Sequence, residues 1–452
     1  MHQRMDGTVK NQKLDRRSFL RGASATAGAA ALAASGVKSA DASGARVTAP
    51  AFLRYQSDPI EIDFSHIWGT PPGEVAAENQ HPADQLVDAF NALNTGVTVN
   101  SRTDSGNYFE VLQKAQAEMA AGNPPALVIT PWSNINYAVE GLGVNNLEDV
   151  ATSAGGDISE ILGNLKEQVI GLVQVDEMTK GVPFAFSCPV IYYNNEIFTA
   201  AGVDPAALFA TWASVLELGP GIQEQAGGNP ILGFATNKDW PAQSIIQSNG
   251  GQVMTDAGEL AIASLESIAA MQAIADIDAA GLHDRSTGSE MRASFIGSSL
   301  ACFIGSIASL GGLRRDVAFD LQSAPFPIFE GQPRQMSSGG SFIGCYAQDD
   351  DQLKGAWEFL KYAVSQEGTD IWMQTGYLNA TNFEVEILPG QEPAYLQLDE
   401  GLTRETAWPG ARAAEVQQIW GTYVSRIWAN DISAEEGCNQ AVSEIEPLLP
   451  ST

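Results

Sequence analysis

The stretch Pro183–Pro205, PFAFSCPVIYYNNEIFTAAGVDP, changes its pattern twice over a short distance. It opens with a proline, continues through the β-prone residues Val190–Tyr193 and stops at the pair Asn194-Asn195. A short helical pattern then begins and ends at Gly202. This order predicts a strand, a turn and a helix.

The residues upstream of this stretch alternate between strand and helix patterns. Apolar residues recur at period two in the predicted strands and at helical spacing in the segments between them. The order β-α-β-α-β is typical of one half of a doubly wound α/β fold, in which strand ends point towards one crevice where ligands bind. The predicted elements are Ile60–Phe64, Ala83–Asn94, Val97–Asn100, Phe109–Ala121 and Ala126–Thr130.

Further elements are predicted downstream of the central stretch. A helix from Thr211-Trp212 to Leu218 is expected to end at Gly219-Pro220, because proline breaks the helical hydrogen-bond ladder. The other segments are a strand within Gly227–Ala235 and helices at Trp240–Gln247, Glu259–Ala280, Leu353–Val364, Gly368–Thr375 and Ile432–Leu449.

The order of these motifs resembles the extracellular solute-binding proteins of ABC importers, in the large carbohydrate-type family. The motifs that carry the resemblance are Pro183, Tyr192-Tyr193-Asn194, Phe198, Ala201-Gly202, Thr211-Trp212, Phe90-Asn91, Gly305-Ser306 and Gly376-Tyr377-Leu378. The Gly106-x-Tyr108, Gly339-Gly340 and Gly-Tyr-Leu elements are most similar to the glycerol-3-phosphate-binding branch. The residue that follows Tyr-Leu is usually proline in the family and is Asn379 here.

The resemblance implies a two-lobed periplasmic-binding-protein fold of the α/β class. Doubly wound sheets form the two lobes, strands cross between them, and the lobes close on a ligand. By this analogy lobe 1 comprises residues 59–187 and 341–365, and lobe 2 comprises residues 188–340 and 366–452.

Residues 1–42 have the pattern of a twin-arginine signal peptide. Arg16-Arg17 is followed by Phe19-Leu20, by the weakly apolar run Gly22–Val37 and by Ala40-Asp41-Ala42. The run is too short and too rich in small residues to span a membrane, and no cysteine follows it to carry a lipid. We expect cleavage after Ala42, a flexible leader at residues 43–58, and a periplasmic or extracellular protein without an N-terminal lipid anchor.

Charge and cysteine usage exclude some functions. The formal net charge is −30, and such an acidic surface repels phosphate backbones and anionic lipid, so no nucleic-acid partner is expected. The chain contains no Cys-x-x-Cys motif and no cysteine spacing typical of a metal site. Packing as small buried residues is favoured over disulfide formation for Cys188, Cys302, Cys345 and Cys438.

The sequence offers no motif for catalysis. The histidines are scattered, and neither a Gly-x-Ser-x-Gly elbow nor a phosphate-binding Gly-Lys-Ser loop is present. We therefore predict a binding protein without a cofactor. A secreted carbohydrate-active enzyme remains the alternative from another class, because its two carboxylates can be distant in sequence.

Sugar-binding pockets combine aromatic rings, which stack on sugar faces, with a few fixed polar groups. Core packing is an equally good interpretation of Trp68 and Trp132, whereas Tyr108 and Tyr377 match family positions that line the cleft. Ser187 lies at a crossing strand, and Gly340 would let a backbone amide approach a ligand. The aromatic candidates are Trp68, Tyr108, Trp132, Trp240 and Tyr377.

The expected ligand is a neutral mono- or oligosaccharide, delivered by a monomeric protein to the membrane subunits of an ABC permease. The alternative ligand is glycerol 3-phosphate or a glycerophosphodiester, which requires a cation. Arg412 is the candidate, since arginine pairs with phosphate through two parallel hydrogen bonds. However, the branch has Arg-Gly near this point and the chain reads Pro409-Gly410; Arg412 can equally be an ordinary surface residue.

Overall fold

A computed structural model describes residues 59–69, 80–104, 106–234, 239–255, 257–286, 288–403 and 405–450. The predicted signal peptide (1–42) and leader (43–58) lie outside these residues. In the described residues no helix is both long enough and apolar enough to cross a bilayer.

Strands are distributed along the whole described chain. They are β1 (Ile60–His66), β2 (Val97–Thr103), β3 (Leu127–Pro131), β4 (Gln174–Val175), β5 (Met178–Thr179), β6 (Val182–Ser187), β7 (Pro189–Asn194), β8 (Leu232–Phe234), β9 (His283–Asp284), β10 (Cys302–Ser306), β11 (Leu321–Ala324), β12 (Met336–Ser337), β13 (Gly339–Cys345) and β14 (Leu402–Thr403).

The α-helices alternate with these strands. They are α1 (Pro82–Ala92), α2 (Tyr108–Ala120), α3 (Ile135–Tyr137), α4 (Leu147–Ala154), α5 (Ser159–Leu162), α6 (Glu167–Ile170), α7 (Asn195–Ala201), α8 (Pro205–Leu208), α9 (Trp212–Gln225), α10 (Asp239–Ser248), α11 (Leu265–Ala279), α12 (Gly288–Ile296), α13 (Leu310–Asp316), α14 (Asp350–Ala363), α15 (Gln366–Trp372), α16 (Glu392–Gly401), α17 (Ala413–Trp428) and α18 (Ala434–Ile445).

The first five-stranded sheet has the order β2-β1-β3-β13-β6. Strand β1 pairs in parallel with β2 and β3, as the predicted β-α-β-α-β pattern requires. Strand β13 returns from much later in the chain and pairs antiparallel with both β3 and β6. The first lobe is therefore built from two separate parts of the sequence.

The second five-stranded sheet has the order β11-β7-β10-β8-β9. Strand β7 pairs antiparallel with β10 and β11, and β10 pairs in parallel with β8. Only Cys188 separates β6, in the first sheet, from β7, in the second. The Pro183–Pro205 stretch therefore contains a crossing between the two sheets, and the α/β class with crossover strands is confirmed.

Helix α15 lies with the first sheet, because it contacts α1 and α14 and its Trp372 packs against Trp68. Its packing differs from the assignment of residues 366–452 to lobe 2. Apolar contacts explain the difference: Trp372 also packs against Phe184 of β6, with the rings tilted and their centroids 4.1 Å apart.

The predicted end of the helix at Gly219-Pro220 is wrong. Helix α9 continues through Pro220 to Gln225. A proline inside a helix costs one backbone hydrogen bond, but Gly219 and Ile222 on this part of the helix are buried. Tertiary packing of that face outweighs the local preference.

The four cysteines are buried and none forms a disulfide. Burial raises the pKa of Cys188 and of Cys438 to about 12. The interpretation of these residues as small core side chains is confirmed.

Candidate functional site

A cavity of about 580 Å³ lies at the boundary between the two sheets. The first sheet and its helices contribute Tyr108, Pro131 and Gly340, and the second lobe contributes Trp240 and Ser306. A cavity lined from both sides changes shape when the lobes move relative to each other. The remaining lining residues are Ile67, Gly106, Asn107, Phe109, Ser133, Asn134, Ser187, Ala308, Ser309, Gly339, Tyr377, Glu405 and Gln417.

Tyr108 begins helix α2, whose first turn is capped by the Asn107 side chain accepting from the Glu110 amide at 2.9 Å. This cap fixes where the helix starts and so directs the tyrosine. Its Oη lies 3.1 Å from Ser341 Oγ on β13. Removal of the phenol from water raises its pKa well above the ordinary value, so the hydroxyl stays protonated and can donate a hydrogen bond.

Trp240 is at the start of α10, and its indole Nε1 donates to the Ser337 carbonyl at 3.1 Å. The ring packs on the backbone of Gly339, where an added Cβ would lie within 3.0 Å of three indole atoms. Only glycine leaves room for this aromatic wall of the cavity.

Gly340 has a φ of 126°, a conformation that residues with a Cβ rarely adopt. A Cβ there would also overlap the Ala185 carbonyl and lie 3.0 Å from Trp132 Nε1. The glycine therefore lets β13 pass close to β6 while its backbone lines the cavity.

Two serine hydroxyls meet where the chain crosses between the sheets. Ser187 Oγ lies 2.9 Å from Ser306 Oγ at the end of β10. The Tyr192 hydroxyl donates to the Ser306 carbonyl at 2.9 Å, which holds this strand end in place. Both serines line the cavity, so their hydroxyls offer donors and acceptors to a solute.

The aromatic candidates separate into two groups. Tyr108, Trp240 and Tyr377 line the cavity. Trp68 and Trp132 do not appear in the lining; they are buried, with exposed fractions of 8% and 0%. Trp68 supports the site from behind, since its ring meets that of Tyr377 edge to face at 6.2 Å.

Arg412 lies away from the cavity lining. Its side chain is 52% exposed and makes two hydrogen bonds to Glu415, at 2.7 and 2.8 Å. The structure thus places Arg412 in an exposed ion pair at the start of α17, while Ser187 and Gly340 lie in the cavity wall.

Two buried acids, Glu405 in the cavity lining and Asp239 next to it, were not predicted from the sequence. Glu405 is 5% exposed and lines the cavity. Burial and the nearby Asp239 raise its pKa well above the ordinary value, partly offset by a hydrogen bond from Ser133. Asp239 accepts hydrogen bonds from Trp408 Nε1 at 3.0 Å and from Gln417 Nε2 at 3.0 Å.

No sequence motif marks these acids, because Asp239 and Glu405 are far apart along the chain. Their proximity depends on how α10 packs against α17 and the loop before it. Within the described ranges no cluster of three or more His, Cys, Asp or Glu residues could hold a metal ion.

Two α/β lobes joined by crossing strands, with a cavity lined from both, define the class of two-lobed binding proteins. Residues 85–385 match the family of bacterial extracellular solute-binding proteins, which is more than half of the 452-residue chain. The chain therefore belongs to this family, as the sequence resemblance indicated.

Curated relatives are glycerol-3-phosphate-binding proteins. The sn-glycerol-3-phosphate-binding periplasmic protein UgpB of Yersinia pseudotuberculosis is 24% identical over 359 residues, covering 75% of this chain and 79% of the relative. The UgpB protein of Salmonella typhimurium is 23% identical over 380 residues, covering 77% and 81%.

Solved structures with the same fold bind different solutes. UgpB from Mycobacterium tuberculosis in complex with glycerophosphocholine has a TM-score of 0.73 at 21% identity and covers 87% of this chain and 98% of its own. The cyclic alpha-maltosyl-1,6-maltose binding protein of Arthrobacter globiformis has a TM-score of 0.68 at 17% identity, with coverages of 86% and 99%. These likenesses establish the fold.

Proposed function

We propose that this chain is the substrate-binding component of an ABC importer and captures a neutral, polyhydroxylated solute of the carbohydrate type. One observation supports this class of ligand. The cavity presents aromatic side chains from Tyr108, Trp240 and Tyr377 beside the hydroxyls of Ser133, Ser187 and Ser306, and no Lys or Arg side chain lines its described part.

Each half of this arrangement has a role in sugar binding. The aromatic faces cover the axial C–H groups of a sugar ring. The serine hydroxyls and the Gly340 backbone exchange hydrogen bonds with ligand hydroxyls. Protonated Glu405 adds a donor at the wall, since its raised pKa favours the neutral acid.

Closure is the functional step. Contacts to Tyr108 on one side and to Trp240 and Ser306 on the other can be made together only when the lobes are closed, so a solute that makes them shifts the population towards the closed state. The closed, loaded form would then dock on the membrane subunits of the permease. We also propose that the protein is exported by the twin-arginine route, is a monomer and does not catalyse a reaction.

A glycerol phosphodiester is the second candidate, because the curated relatives are glycerol-3-phosphate-binding proteins. A phosphate in this cavity would need a cation that the described lining does not supply. In sequence, Arg404 immediately precedes Glu405, so Arg404→Ala is the first variant to make if phosphate esters bind.

A thermal-shift screen of the protein from Ser43 onwards tests the proposal. The panel comprises mono-, di- and trisaccharides, polyols, glycerol 3-phosphate and its diesters. A ligand at a hundred times its Kd stabilises the folded state by about 2.7 kcal/mol. Stabilisation by a neutral sugar supports the ligand class, and stabilisation by phosphate esters alone overturns it; conversion of a bound glycan to product would overturn the assignment as a binding protein.

A further inference from the structure

A second cavity of about 340 Å³ adjoins the first. Ala308 and Ser309 line both cavities and so separate them by a single wall. Gln80 and His81, which precede α1 of the first lobe, form one side of this side cavity. The opposite side comes from α12 and α13 of the second lobe.

The side cavity is basic in an acidic protein. Arg292 and Arg315 line it, and its described lining contains no Asp or Glu, although the chain as a whole carries a formal charge of −30. A basic wall is therefore not a consequence of composition. It concentrates positive potential at a point where both lobes meet.

The two guanidinium groups converge on one point. A Cβ built on Gly312 would lie 3.2 Å from Arg292 Nη2 and 3.8 Å from Arg315 Nη2. Two like charges near one point repel each other, and an anion between them or beside them offsets the repulsion. Asp316 pairs with Arg292 at 2.8 Å and compensates one of the two charges.

Arg292 also has an unused donor. Its Nη1 atom is buried and has no hydrogen-bond partner among the described residues. A buried donor without a partner is costly, and the cost disappears when a ligand oxygen accepts from it. Arg315 Nη1 donates to the Gly311 carbonyl at 3.2 Å, which holds this side chain along α13.

We propose that the side cavity binds an oxyanion, a phosphate or carboxylate group, between Arg292 and Arg315. The anion contacts the second lobe through the guanidinium groups and reaches the first lobe at Gln80 and His81. Because it bridges the lobes, its binding favours the closed state. The lining of the side cavity is distinct from that of the main cavity except at Ala308 and Ser309.

Two sources could supply the oxyanion. A free inorganic anion would act as an effector of closure. Alternatively, the acidic end of a longer solute could extend past Ala308 and Ser309 from the main cavity. Both sources share the same recognition chemistry, and titrations with two probes distinguish them.

The experiment uses the whole protein from Ser43 and isothermal titration with inorganic phosphate and, separately, with glycerol 3-phosphate, at constant ionic strength set by sodium chloride. Arg315→Gln removes one charge without breaking any ion pair seen among the described residues, and Gly312→Ala keeps both charges but places a methyl group close to both guanidinium groups. Arg314→Gln is the matched control, since Arg314 is exposed on the same helix and lies outside the lining.

The expected result is that Arg315→Gln and Gly312→Ala weaken phosphate binding by about tenfold or more, as loss of a charge-assisted contact requires. Arg314→Gln should bind like the parent protein. If Arg315→Gln and Gly312→Ala weaken the binding of glycerol 3-phosphate only, the anion is the phosphate group of a solute. If neither probe binds, or the three variants behave alike, the proposal is overturned; circular dichroism of each variant separates this outcome from misfolding.

Discussion

The indole of Trp240 rests directly on the backbone of Gly339, so the aromatic wall of the main cavity depends on a missing side chain. Three indole atoms occupy the space within 3.0 Å of where a Cβ would stand. One of these atoms, Nε1, also donates a hydrogen bond to the Ser337 carbonyl, which holds the ring in place. Trp240, which the second lobe contributes to the cavity, is thus positioned by the first residue of β13, a strand of the first sheet.

Gly339→Ala should displace the Trp240 ring and weaken binding of whichever solute the screen identifies. The loss of a stacked ring costs about 1.5 kcal/mol, which is about tenfold in Kd. Fluorescence titration measures it. Gly344→Ala on the same strand is the control, because its Cβ would meet Tyr346 and Val144 rather than the cavity; equal losses in both variants would contradict the prediction.

Tyr108→Phe removes one hydroxyl from the cavity wall and leaves the ring in place. We expect the solute Kd to rise by up to about tenfold, since one net hydrogen bond contributes about 1 kcal/mol. The melting temperature of the ligand-free protein should fall, because the substitution removes the hydrogen-bond partner of the buried Ser341 hydroxyl. Calorimetric titration checks the first statement and a thermal melt the second. An unchanged Kd would exclude Tyr108 as a ligand donor.

Glu405→Gln should alter the pH dependence of stability. The pKa of Glu405 is raised in the folded state, so its protonated form is favoured by folding. That contribution is fully present below the unfolded pKa of about 4.3 and is lost as pH rises through the raised value. The variant should therefore melt higher than the parent protein at pH 7 and show a flatter profile from pH 5 to 8. Exposed Glu217→Gln is the control, and a lower melting temperature of Glu405→Gln at every pH would refute this account.

His66 should contribute a pH dependence of stability that is opposite in sign to that of Glu405 and lies at lower pH. Burial lowers its pKa to about 4, so the folded protein favours the neutral ring. This contribution to stability is present above about pH 6.5 and is lost as pH falls towards 4. His66→Gln should reduce the fall in unfolding free energy between pH 7 and pH 4.5 by about 2 kcal/mol. Urea unfolding at the two pH values measures the difference, and an identical fall in both proteins would contradict it.

None of the four cysteines should react with a thiol reagent in the native protein. All are buried and unbonded, and burial raises the pKa of the Cys345 thiol to about 11, so little thiolate forms at neutral pH. A colorimetric thiol reagent should label none of them before unfolding and four after it. A reducing agent should leave the melting temperature unchanged. Rapid labelling of the folded protein would show that at least one thiol is accessible.

The sequence by itself determined the local elements and the family. The alternation in Ile60–Phe64, the turn at Asn194-Asn195 and the helix pattern before Gly202 each depend on neighbours a few residues away, and all three appear in the structure. Tyr108, Trp240 and Tyr377 could be proposed as cavity residues because they occur within such motifs or at the start of a predicted element.

The tertiary structure alone decided which of these residues share a cavity. Strand β13 is inserted between β3 and β6 by backbone pairing across long stretches of chain, and this pairing aligns Gly339 and Gly340 with Trp240 and Ala185. The acids Asp239 and Glu405 and the arginines Arg292 and Arg315 come from distant segments. No local pattern encodes their proximity, because burial, charge coupling and the convergence on Gly312 arise only when these separate segments have folded and packed against each other.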